Sequence, residues 1–482
     1  MAFIKDHMWT FLLVINYSLA IFAAITLMLK KVNPTKTLSY LAVLFAFPFI
    51  GLIVYYLFGQ EYRKTKIFSR KNVLNQNMVK QIEEEISIHT ETLEDIQELL
   101  EEKSKLIPLL IKSEYQKLTC ENEVKLIKNA DEKFDLLLED VEAAEHHIHL
   151  EYFIIKDDKI GTTVLNALAK KAKSGVEVKI VIDDVGSSIS SKMRKHLKNC
   201  NVQVYPFMPV LFSKFTGKMN YRDHRKIIVI DGKIAYVGGV NISDTYVNAH
   251  NDTYWRDTHL RITGEAVKQF QILFFTTLDF VNDRELSVDE EYFPTIQMKK
   301  KIPIQIAASG PDTDWSNIME SLFIAICNAE KYICITTPYF IPNDEIILAL
   351  QIAARSEIEV KIIVPKISDS WIAQYATSSY IQPMLEAGVK FYHYTKGFIH
   401  AKTLVVDGVL SSVGTANMDY RSFNINFEVN TLIYNKSFSQ ELLQMFNDDL
   451  KDCEELTLEM WKQRSSSTKI KEAFAKLLAP LL

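Results

Sequence analysis

One short pattern occurs twice in this chain, 176 residues apart. The first copy reads His224, Lys226, Asp231, Gly238, Gly239 and Asn241; the second reads His400, Lys402, Asp407, Gly414, Thr415 and Asn417. From His to Lys, Asp, Gly and Asn, every offset agrees between the copies. A lone His-x-Lys carries no information, whereas agreement at each position calls for two related halves. Residues 224–231 and 400–407 are rich in β-branched and apolar side chains, as strands are, and each is closed by Asp-Gly, a hairpin-turn pair. The spacing predicts return strands over 233–238 and 409–414. Side chains alternate across a strand, so His224 and Lys226 share a face, as do His400 and Lys402.

The repetition extends upstream. VKIVI at 178–182 matches VKIIV at 360–364, each after a helical stretch, roughly 161–174 and 343–355. Earlier still, Glu151-Tyr152-Phe153-Ile154 corresponds to Pro338-Tyr339-Phe340-Ile341. Strand, helix, strand and motif hairpin, twice over, predict an α/β fold of two halves with mixed sheets, at about 121–300 and 301–482. Tyr152 and Tyr339 fall at strand ends, where α/β sheets gather ligands; each is a candidate for lining a site, with core packing the alternative.

Paired imidazoles and lysines suit displacement at a phosphodiester. One imidazole attacks phosphorus to form a phosphohistidine, and the other protonates the departing alkoxide and then deprotonates the incoming alcohol. The lysines neutralise the phosphoryl oxygens, so the chemistry requires no metal and no cofactor. Asn241 and Asn417, on the glycine-containing returns, are candidate phosphate donors. His146, His147 and His149 suggest a metal, but no third ligand accompanies the pair sharing a strand face, and a partly buried strand explains them better. The five cysteines form no Cys-x-x-Cys pair, so neither a zinc site nor a disulfide framework follows.

These motifs resemble those of the phospholipase D superfamily, and within it the chain is similar to the bacterial cardiolipin synthases. Further strings carry the resemblance: Trp255-Arg256-Asp257-Thr258-His259-Leu260-Arg261, Asn417-Met418-Asp419-Tyr420-Arg421-Ser422-Phe423, Asn426-Phe427-Glu428-Val429-Asn430, Ser309-Gly310-Pro311 and the terminal Leu-Leu-Ala-Pro-Leu-Leu. The resemblance implies two phospholipase D-like halves related by pseudo-twofold symmetry. It also implies His224, Lys226, Asp231, His400, Lys402 and Asp407 as catalytic residues, with His224 the nucleophile and His400 the acid/base. It further implies that Asp257 orients His224 and Glu428 orients His400. The implied reaction joins two phosphatidylglycerol molecules into cardiolipin and releases glycerol. Hydrolysis by the same intermediate, as in a membrane-bound phospholipase D, is the alternative; a nuclease and an inactive lipid-binding scaffold are weaker ones. The net charge of −5 offers no field to gather nucleic acid. Neither a Gly-x-x-x-x-Gly-Lys-Ser/Thr loop nor the Asp-Gly-x-x-Ala-Arg motif of enzymes using CDP-activated lipids is present.

Residues 9–29 and 38–58 carry no charge, and each is long enough to span a bilayer, predicting an N-terminal two-helix transmembrane hairpin within 1–60. Cations flanking the pair (Lys5, then Arg63, Lys64, Lys66, Arg70 and Lys71) place the catalytic portion in the bacterial cytoplasm by the positive-inside tendency. Residues 61–120 form a charged linker, with an amphipathic helix over 81–105. Lys214, Lys218, Arg222, Arg225 and Lys226 form a local basic approach to the first motif. The tail 469–482 is amphipathic and fits either the bilayer or a packed terminal helix. The oligomeric state is not fixed by these features.

Overall fold

The structure, a computed structural model, describes residues 7–29, 34–52, 55, 90–112, 116–208, 221–282, 288–296, 298–313 and 315–477. Residues 81–89 of the expected amphipathic helix, Lys214 and Lys218, the cations at 63–71 and residues 478–482 lie outside them. Met1–Ile67 and Val210–Tyr221 form one unit, Phe68–Pro209 and Arg222–Leu482 another, and each is described by itself.

In the N-terminal unit, α1 (Met8–Leu29) has 22 residues and is apolar and long enough to cross a membrane. Its partner α2 (Pro34–Ala46) is shorter than the uninterrupted span expected over 38–58. The helix stops before Pro48, and Phe49 takes a left-handed φ of 64° before helical structure resumes at Ile50. Proline supplies no N–H and disfavours the helical region for the residue before it, so the ladder breaks here. The side chain of Asn16, buried on α1, accepts the N–H of Phe49 at 2.8 Å and satisfies the interrupted backbone. Ala20, Ala23 and Leu27 of α1 pack against Leu44.

The second unit is built on two sheets. The first half contributes β1 (Asn122–Lys128), β2 (His147–Tyr152), β3 (Glu177–Asp183), β4 (Gln203–Phe207), β5 (Lys226–Ile230), β6 (Ile234–Gly238), β7 (Tyr254–Arg256) and β8 (Thr258–Gly264). All but β7 form a seven-stranded sheet in the order β1-β8-β6-β5-β2-β3-β4. The second half contributes β9 (Ile304–Ser309), β10 (Tyr332–Thr336), β11 (Phe340–Ile341), β12 (Glu359–Pro365), β13 (Lys390–Tyr394), β14 (Gly397–Ile399), β15 (Thr403–Val406), β16 (Leu410–Gly414), β17 (Met418–Asp419), β18 (Glu428–Tyr434) and β19 (Cys453–Leu456). Its main sheet runs β9-β18-β16-β15-β10-β12-β13-β19, the order of the first sheet with one strand added at the edge. In each half a parallel set (β2-β3-β4, β10-β12-β13) continues into antiparallel strands carrying the motif hairpin, so both sheets are mixed.

Every residue of β5 is buried, which explains its unbroken apolar run where a half-exposed strand would alternate. One core spans both halves: Val237, Leu260, Ile262 and Phe270 of the first pack with Ile306, Val413, Val429 and Ile433 of the second. The buried Arg256–Asp449 ion pair, 2.7 Å, crosses the same boundary. The expected helix through residue 105 is interrupted: a helix at Thr90–Leu100 gives way to a tighter turn at Glu101, whose φ is positive. Ile96, Leu100, Leu106 and Leu110 from this stretch are buried in the core of the second half.

Candidate active site

Two short parallel ladders carry the motifs across the boundary between halves. Tyr254, Trp255 and Arg256 of β7 pair with Gly397, Phe398 and Ile399 of β14, and the next residue, His400, donates its N–H to Arg256 O at 2.7 Å. Reciprocally, His224 donates its N–H to Phe427 O at 3.0 Å, while Phe427 donates to Arg222 O. The backbone of each histidine is thus tied to the residue preceding a carboxylate of the other half. Glu428 lies 2.8 Å from Nδ1 of His224, and Asp257 lies 2.7 Å from Nδ1 of His400. The pairing expected from the sequence, Asp257 with His224 and Glu428 with His400, is therefore corrected: the carboxylates are exchanged between halves. The reason is the ladders, which place the start of β8 and of β18 beside the opposite motif. A carboxylate on Nδ1 holds the proton there and leaves Nε2 of each ring for chemistry.

Both histidines line one cavity of about 440 Å³. Phe153 meets the His224 ring edge-on at 4.8 Å, and Trp255 and Tyr246 lie 5.5 and 5.7 Å from the His400 ring. Asn241 and Asn417 also line the cavity, and each secures neighbouring chain: Asn241 accepts from Ile154 N–H and donates to Tyr246, and Asn417 donates to Asp419. Beneath the histidines Lys226 and Lys402 are buried, each donating to the carbonyl of the histidine two residues earlier, at 2.8 and 2.6 Å. Burial lowers Lys226 to about 7 and Lys402 to about 8 against the partial compensation of Glu428 and Asp257. Burial, then Lys402, lowers His400 to about 4 despite Asp257, and burial lowers His224 despite Glu428. Burial works to raise Glu428, but His224, Lys226 and Thr415 outweigh it and hold the group below its ordinary value. Burial thus favours the neutral form of both imidazoles, and an anionic phosphodiester beside them favours their protonation.

Residues 137–274 and 322–450 match the family model described as cardiolipin synthase, phospholipase D-like domain. The chain belongs to this family. Residues 18–60 match a second model, the phospholipase D-nuclease N-terminal segment. The chain is 38% identical to a cardiolipin synthase of Geobacillus sp. (strain WCH70), over 96% of its own length and 92% of that protein. It is 38% identical to a cardiolipin synthase of Listeria monocytogenes serotype 4b (strain CLIP80459), over 99% of each. The crystal structure of phosphatidylserine synthase from Haemophilus influenzae Rd KW20 superposes with a TM-score of 0.61 at 13% identity, covering 79% of this chain and all of that one, a likeness of fold.

Two residues of the paired motif stand away from the cavity. Asp231 and Asp407 occupy the Asp-Gly turns, where both residues of each pair have positive φ. Asp231 accepts the N–H groups of Glu145, His146 and His147, and Asp407 those of Glu330, Lys331 and Tyr332. Asp407 also meets the buried Lys103 at 2.9 Å. Their assignment as catalytic is corrected: each fastens the motif hairpin to the start of the neighbouring strand, at the far end of the strand from its histidine. Asp231→Asn is expected to lower stability by about 2 kcal/mol, because a carboxylate accepting three backbone donors is lost, and to leave kcat of the folded protein within severalfold. Denaturant unfolding alongside a turnover assay checks this.

Tyr339 lines the cavity, but Tyr152 does not. Tyr152 is buried and accepts a 3.1 Å hydrogen bond from Lys133. Strand register explains the difference. Tyr152 pairs with Lys226, while Thr336 pairs with Thr403, which puts Thr337 level with Tyr152 and Tyr339 level with Ile154. The letters of the two upstream strings match, but their positions are displaced by two. His147 and His149 have their nitrogens on protein partners: Gln271 bridges the two rings, and Glu177 meets His149 at 3.0 Å. Arg222, from the basic approach to the first motif, also lines the cavity, as do Asp369, Asp419 and Arg421, which carry no site expectation from the sequence. Asp419 and Arg421 stand inside the quoted Asn417–Phe423 string, so a signal for them existed; Asp369 lies on a loop with none.

Proposed function

We propose that this chain is a membrane-bound cardiolipin synthase that transfers a phosphatidyl group from one phosphatidylglycerol to another. The observation that carries the reading is the pair of imidazoles from different halves, each on a carboxylate of the other half, lining one cavity. Nε2 of His224 attacks phosphorus; a P–N bond forms and the P–O bond to glycerol breaks, with His400 giving its proton to the leaving alkoxide. The hydroxyl of a second phosphatidylglycerol then attacks, His400 takes its proton, a new P–O bond forms and the P–N bond breaks. Lys226 and Lys402 counter the charge of the phosphoryl group from beneath. One phosphodiester replaces another, so no nucleotide drives the exchange.

The organisation that accompanies this reading is a multi-pass hairpin over 1–60 in the bacterial plasma membrane and a helical segment over 61–120. Phospholipase D-like halves at 121–300 and 301–482 then form a pseudo-twofold pair on the cytoplasmic side. The apolar α1 and the matched N-terminal family model support the membrane anchor.

Purified protein given phosphatidylglycerol alone is expected to yield cardiolipin and glycerol; phosphatidic acid as the sole product favours a hydrolase and overturns the synthase. The pH profile carries a second expectation. A lysine with a depressed value loses its charge as pH rises through that value, so kcat/KM falls above about pH 7–8 rather than near the 10.5 of an ordinary lysine.

A further inference from the structure

The two sides of the cavity differ. The first half presents Phe153, Ile154 and the cation Arg222, whereas the second presents Tyr339, Asp369 and Ser370 together with Arg421. The hydroxyl of Tyr339 lies 2.7 and 2.8 Å from the two carboxylate oxygens of Asp369. Burial, then the charge of Asp369, push the phenol of Tyr339 up, so it remains the donor. Among the described residues of the first half lining the cavity, no tyrosine–carboxylate pair corresponds to it. Ile154 stands at the position of Tyr339, and Ser187 is the residue that follows the end of β3 by as many places as Asp369 follows the end of β12. Ser187 is engaged with backbone, donating to Phe153 O and accepting from Ile155 N–H, each at 3.0 Å. Asp369 also sits between two exposed apolar side chains, Ile367 and Trp371, 76% and 59% accessible, a setting in which a headgroup meets the carboxylate while acyl chain lies alongside.

A carboxylate at the rim of a site for anionic lipids repels phosphate and accepts hydroxyl donors. We infer that Asp369, steadied by Tyr339, binds the glycerol headgroup of the acceptor lipid, taking one hydroxyl as a hydrogen-bond donor so that its neighbour is presented to the phosphorylated histidine. The inference rests on the synthase reading and assigns the second half to the acceptor. It gives a physical basis for choosing a lipid alcohol over water, because water makes no contact that spans both the carboxylate and phosphorus.

The test uses the full-length protein in detergent micelles of phosphatidylglycerol, with and without ethanol, a monohydric acceptor that has no second hydroxyl for Asp369. Cardiolipin formation by Asp369→Asn is expected to fall about tenfold to a hundredfold, through a raised KM, as befits loss of a charged hydrogen-bond partner. Phosphatidylethanol formation is expected to stay within about twofold of wild type, since the donor steps are intact. Asp369→Glu restores part of the cardiolipin activity, and Tyr339→Phe shifts the balance the same way by less. Equal loss of both products, or unchanged cardiolipin formation, overturns the inference. So does a variant that loses only the ability to use phosphatidylethanolamine as donor, which would assign the carboxylate to an ammonium. If wild-type protein makes no cardiolipin from phosphatidylglycerol, the synthase reading itself fails, a result distinct from these.

Discussion

In His400→Asn protein cardiolipin formation is expected to fall by roughly four orders of magnitude, and the phosphatidyl group that is slowly taken from labelled phosphatidylglycerol is expected on His224. The asparagine has no proton to move at neutral pH, so the departing glycerol loses its acid and the acceptor alcohol loses its base. His224→Asn is expected to lose turnover to the same extent and to carry no label, because no nucleophile remains. Both rings are enclosed by aromatic side chains and carry a carboxylate on Nδ1, so Nε2 is where the phosphate is expected. Mass spectrometry of the acid-labile adduct reads the outcome directly. Label on His400 in His224→Asn protein would reverse the two roles.

Glu428→Gln is expected to behave as a lesion of His224, and Asp257→Asn as a lesion of His400. Each removes the charge that fixes a tautomer and supports an imidazolium, an effect on the order of 10²- to 10⁴-fold in kcat. In single-turnover experiments Glu428→Gln slows chiefly formation of the phosphohistidine, whereas Asp257→Asn slows both its formation and its consumption by the acceptor. Carboxylates acting within their own half would give the reverse assignment. Thr415, which donates to Glu428, stands between these limits: Thr415→Val leaves the carboxylate charged and removes one donor from it.

Much of the second unit was legible in the chain. The motif strands are apolar and β-branched, the Asp-Gly pairs take the positive φ values their turns need, and the same strand order recurs in both sheets. Period, turn chemistry and spacing are local properties, so they survive in one dimension. Of the candidate site residues, His224, His400, Asn241, Asn417 and Tyr339 reach the cavity, with Lys226 and Lys402 under the histidines. The errors have a common origin. Tyr152 and Tyr339 match by letters where the ladder shifts them by two, and the proline that membrane helices tolerate at Pro48 here ends the helix.

By itself the sequence determined that two homologous α/β halves meet in one site, that each brings a histidine and a lysine on a hairpin, and that an apolar helix precedes them. Only the tertiary structure decided which carboxylate serves which histidine, since the partners are 204 and 143 residues apart and are joined by ladders that cross from one half to the other. It also decided that Asp231 and Asp407 hold backbone amides, and that Asp369 reaches the cavity rim from the loop after β12. Strand periodicity can be read from neighbours in the chain; the register of one half against the other comes from packing their shared core, and no local pattern encodes it.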